Sequence, residues 1–67
     1  MIARVDKKTI GARLRAARVS AGLTLKQVAG IISYTWVAVE RWEKGACLPK
    51  PGVLRHLAHL YGVDDEW

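Results

Sequence analysis

Apolar residues recur at spacings of three and four along most of this chain, and glycines at 22, 45 and 62 cut the pattern into lengths that suit only short helices. From Lys7 to Ser20, Ile10, Leu14 and Ala17 share a stripe that continues to Ala21, with Arg13, Arg15 and Arg18 between them. This is an amphipathic helix, and Gly22 stops it. Thr24 followed by Gln27 is a capping-box pattern, so a second helix opens there and is expected to end near Ile32, with Gly30 as its weak point. Thr35 is placed to cap a third helix that runs to Gly45, with Val39 and Trp42 facing inward and Trp36, Val37, Glu40 and Arg41 outward. Pro49 and Pro51 make 47–52 a loop, and Pro51 suits the first turn of a fourth helix. There Leu54, Leu57, Ala58 and Tyr61 share a face until Gly62. Asp64 reads as the cap of a fifth helical turn containing Glu66 and Trp67. No alternating strand pattern, repeat or linker appears, so the expected fold is all-α, five short helices packed as one compact unit.

A chain of 67 residues covers only about 60% of the surface its unfolded form exposes. That leaves no room for a second domain or a deep pocket. Eleven basic against six acidic residues give a net charge of +5, which favours a polyanionic partner. Cys47 is the only cysteine, so no internal disulfide or Cys-rich zinc site can form. His56 and His59 stand three apart on the fourth helix, but nothing in their segment completes a metal site, and they read as a solvated pair. The sequence has no phosphate-cradling glycine loop, nucleophile elbow or paired carboxylates, and no motif gives Cys47 a base. An enzyme is not expected, nor a metal or cofactor. No apolar run has signal-peptide or membrane-spanning length, which points to a soluble, cytoplasmic protein without a membrane partner.

From Ile10 to Val63 the chain resembles the XRE-type helix-turn-helix family, which includes the lambdoid phage repressors and Cro proteins. The resemblance is carried by Ile10-Gly11, Leu14-Arg15, Arg18, Gly22-Leu23-Thr24, Val28-Ala29, Trp42-Glu43-Lys44-Gly45, Pro49, and Leu57-Ala58 through Gly62-Val63. Glu43 follows Ala29 by 14 residues, the family's usual distance between the second helix's small residue and the glutamate ending the third. The resemblance implies a compact five-helix, lambda-repressor-like domain over 9–67 whose third helix lies in the major groove of double-stranded DNA. Residues 1–8 would precede it as a flexible arm, in which Arg4, Lys7 and Lys8 either follow the duplex or stay solvated.

By the same resemblance Arg18 and Glu43 form a structural ion pair joining the first and third helices, the other reading being two unrelated solvated charges. The base-reading positions fall on Trp36, Val37, Glu40 and Arg41. Arg41 can donate two hydrogen bonds to guanine, and Glu40 can accept from cytosine N4 or act as a selectivity filter. Trp36 and Val37 depart from the family's polar side chains. Either they touch thymine methyls and sugars, or they form an apolar patch for another protein, or the turn is displaced and Trp36 enters the core. Leu25 stands where phage members often carry glutamine, and Ser33 at a turn position where glycine is common. Thr24, Lys26, Thr35, Lys44 and Lys50 are the phosphate-binding candidates, since helix N-termini offer free amides to anions. The expected function is a sequence-specific, repressor-like transcriptional regulator acting as a homodimer on paired half-sites. The dimer contact would come from the end of the fourth helix with Val63 and Trp67, or from chain beyond this sequence. The alternatives are a protein-interaction module using Tyr34, Trp36 and Val37, or non-specific coating of DNA.

Overall fold

The computed structural model describes residues 6–63, which form the helices α1 (Lys7–Ser20), α2 (Leu25–Ile32), α3 (Trp36–Lys44) and α4 (Pro51–Leu60), with no strand among them. The described residues therefore give an all-α fold of four helices, not five. The expected fifth turn, from Asp64 through Glu66 and Trp67, lies outside them, as does Arg4. A second correction concerns the arm. Asp6 caps α1 by accepting the Thr9 backbone N–H at 2.8 Å, so Lys7 and Lys8 occupy the first turn of α1. An aspartate ahead of a helical stretch is itself an N-cap signal, and it outweighs the charge of the two lysines that follow. The bond from Thr9 stabilises the ionised carboxyl and holds Asp6 below its ordinary value.

The other helices start where their caps place them. Thr24 Oγ1 accepts from the Gln27 N–H at 3.1 Å, and the Gln27 side chain accepts from the Thr24 N–H at 2.8 Å, a complete capping box. Thr35 accepts from the Ala38 N–H at 3.2 Å, and α4 opens on Pro51 without a side-chain cap. Between α2 and α3 the chain turns at Ser33, which takes a left-handed conformation with φ 62° and ψ 42°. For a residue with a Cβ this costs about 1–2 kcal/mol.

The central element is α3, which packs against both α1 and α2. Its Val39 and Trp42 meet Leu14 and Ala17 of α1, Val28, Ala29 and Ile32 of α2, and Leu57 and Tyr61 at the end of α4 in one buried cluster. Burying each of the larger side chains is worth roughly 1.5–3 kcal/mol. Tyr34 adds an edge-on ring contact to Trp42, with centroids 5.2 Å apart and planes at 65°.

The crossing of α1 over the C-terminal end of α3 is close enough to demand glycine. A Cβ on the buried Gly11 would stand 2.5 Å from the carbonyl oxygens of both Trp42 and Glu43. Gly45, with φ 78°, lies in the same crossing, where a Cβ would come within 2.9 Å of the Lys8 Cα. It ends α3 and admits α1 at the same point. Sequence pattern identifies only the first of those roles.

Candidate nucleic-acid interface

At 3.6 residues per turn, Trp36, Glu40 and Lys44 form one ridge along α3 and Val37 and Arg41 form the next, both away from the buried Val39 and Trp42. Trp36 is 44% exposed and Val37 40%, so neither belongs to the core. Arg41 is exposed, and among the described residues it has no ion-pair partner. Glu40 is half-buried and lies 3.7 Å from Lys44 Nζ, one turn on. It also lines a hollow with Arg15, Leu25 and the Arg18–Glu43 pair. Glu40 is thus paired with Lys44 and half-buried, while Arg41 is exposed and the freer of the two to reach outward.

To the core packing that holds α3 under this surface, one guanidinium adds a polar tie. Arg18 Nε donates to Glu43 Oε2 at 2.7 Å and Nη2 to Oε1 at 3.1 Å, while Nη1 donates to the Leu23 carbonyl at 2.9 Å. The last turn of α1, the connection into α2 and the last turn of α3 are thereby tied together. Both side chains are nearly enclosed, at 12% and 6% exposure, so the fork geometry is retained away from competing water. The Glu43 hydrogen bonds raise the Arg18 pKa and keep it charged. Beside them the Tyr61 hydroxyl is buried with no hydrogen-bond partner among the described residues. Burial, then the nearby Glu43 charge, pushes its pKa up to about 12, with Arg18 opposing.

The first turns of α2 and α3 are neighbours across a second hollow, lined by Arg18, Leu23, Thr24, Leu25, Lys26 and Trp36. Thr24 and Thr35 each spend their oxygen on a backbone N–H and keep their own O–H free to donate. Lys26 is exposed beside Thr24. The structure thus brings Thr24, Lys26 and Trp36 to one hollow, and Glu40 and Lys44 to the other. Lys50 is exposed at the start of α4 and lines neither hollow.

Two residues of this surface were not among the expected site residues. Leu25 lines both hollows, and Arg15 joins Glu40 and Lys44 in one. Arg15 stands three residues before Arg18, a spacing that puts them on one helix face and was the available signal. The role of the Leu23 carbonyl had none, because a backbone oxygen leaves no mark in a sequence.

Elsewhere His56 and His59 are exposed on α4, Cys47 is exposed, and no cluster of three metal-ligating side chains forms among the described residues. No described helix is long and apolar enough to cross a membrane. A family model described as a helix-turn-helix domain matches residues 9–66. The chain belongs to the helix-turn-helix domain family. Such domains are DNA-binding units, typically not enzymes, in which two short helices meet at a tight turn and the second enters the major groove. In this helix-turn-helix domain those helices are α2 and α3, joined through Ser33, Tyr34 and Thr35. No curated protein and no solved structure gives a significant match.

Proposed function

We propose that this helix-turn-helix domain is a sequence-specific transcriptional regulator of the XRE, lambda-repressor-like type, acting in the cytoplasm as a homodimer on double-stranded DNA. The observation that carries the reading is the solvent-facing side of α3, held by the Arg18 fork, with the first turn of α2 beside it. Docked in a major groove, α3 presents Val37 and Arg41 at the centre of the face, with Trp36 and Glu40 at its edge. Arg41 offers a two-pronged donor to guanine O6 and N7, while Glu40, shared with Lys44, accepts from cytosine N4 or repels mismatched acceptors. Thr24, Thr35, Lys26 and Lys44 hold phosphates through hydroxyl, amide and ammonium donors, and Lys50 adds a further backbone contact. The net charge of +5 supplies long-range attraction to the duplex.

A protein-interaction module is the second reading, favoured by the exposure of Tyr34, Trp36 and Val37 at 42%, 44% and 40%. Selection from a randomised duplex pool at about 150 mM salt, where non-specific binding is weak, separates the two. A regulator enriches a two-fold symmetric site. Failure of the folded protein to enrich any sequence favours the protein partner, and binding without sequence preference means coating.

A further inference from the structure

We infer that the apolar start of α3 reads the 5-methyl group of pyrimidines, so that the domain prefers thymine or 5-methylcytosine to their unmethylated counterparts. The inference rests on the DNA-binding reading and specifies what its apolar residues recognise. Trp36 and Val37 are the first two residues of α3, and both keep about two-fifths of their surface in water. Leu23 and Leu25 line one hollow with Trp36. A valine has no hydrogen-bonding group and an indole has one N–H donor, so this end of the helix cannot read bases by paired hydrogen bonds.

The surroundings decide which apolar partner fits. Lys26 and Thr24 stand on the rim of the hollow, with the unpaired amides of the first turn of α2; of the two carboxylates near Arg18, Glu43 is engaged by it and Glu40 lies in the other hollow beside Lys44. An apolar floor with a cationic, amide-rich rim matches a target that offers small apolar groups within a few ångströms of phosphates. In the major groove that target is the pyrimidine C5 methyl, the single apolar feature on the base edges. 5-Methylcytosine carries the same methyl at the same place while keeping the N4 donor, so the surface accepts it equally.

The test uses the whole chain and the duplex enriched from the random pool. Each thymine is replaced in turn by deoxyuridine, which removes the methyl alone, and each cytosine by 5-methylcytosine. We expect one or two thymines per half-site at which uracil weakens binding about 4-fold, the worth of one buried methyl-sized group. At a cytosine placed in that position, methylation should restore the loss. In Trp36→Ala and Val37→Ala, whose parent side chains lie outside the core, the uracil penalty should shrink at the position each one covers. Equal affinity for the thymine and uracil duplexes at every position overturns methyl reading and leaves the DNA-binding reading standing. A uracil penalty that persists in both variants also overturns it, by placing the methyl elsewhere. A pool that yields no enriched duplex removes both.

Discussion

Each side of α3 carries a departure from the usual division between core and surface, although Val39 and Trp42 still face the core. Its side toward α1 encloses a charged pair, Arg18 and Glu43, at 12% and 6% exposure, and its outer side carries Trp36 and Val37 at 44% and 40%. A helix built only for stability would exchange them. The inner charges stay because they share two hydrogen bonds, with a third from Arg18 to the Leu23 carbonyl, and the fork ties α1 and α3 to the connection into α2. The outer apolar groups are the ones that the proposed function assigns to a partner. On the proposed function, the inner pair helps to hold α3 and the outer apolar groups meet what it binds, so departures from the binary pattern mark both roles.

Breaking the inner side should have the largest effect. Glu43→Ala strands the Arg18 charge and should cost about 3–5 kcal/mol in urea unfolding, most of what a domain this small possesses. A loss under about 1 kcal/mol would mean that water already shares the pair. Gly11→Ala acts on the same side through backbone contact. Alanine is the better helix former by about 1 kcal/mol, yet its Cβ would meet two carbonyl oxygens that cannot rotate away, so we expect a net loss of about 1–3 kcal/mol. Thermal melting of that variant reads the sign directly.

The outer side should respond in the opposite way. Arg41→Ala should weaken binding to the selected duplex by about 1–3 kcal/mol in a titration. Its unfolding free energy should stay within about 0.5 kcal/mol of the parent, because Arg41 is exposed and unpaired among the described residues. Ser33→Gly relieves the left-handed turn between the two helices and should stabilise the fold by about 1 kcal/mol, a melting rise of roughly 4–8 °C.

The smallest effect at neutral pH belongs to Tyr61, whose removal of an unpaired buried hydroxyl in Tyr61→Phe should change stability by less than about 1 kcal/mol. Its signature is alkaline. The unfolded chain ionises near the ordinary value of 10.0 while the folded chain holds the proton to about 12, so stability is full below pH 10.0 and drains as pH rises toward 12. In Tyr61→Phe that alkaline slope should be shallower in urea titrations across the same window.

Much of this architecture is written locally. The Thr24–Gln27 capping box, the Thr35 cap, Pro51 and the three- and four-residue stripes set where α2, α3 and α4 begin and which faces turn inward. Asp6 was equally legible as a cap, but its basic neighbours suggested an arm instead. These features depend on residues within one helical turn, so sequence alone determines them. Which outer residues share a hollow depends on how the helices cross. Leu25 beside Trp36, Arg15 beside Glu40, the Leu23 carbonyl under Arg18 and the passage of Gly11 over the end of α3 were decided only in the tertiary structure. Each brings together atoms from separate segments, and their separation is set by the packing of the whole core rather than by any local propensity.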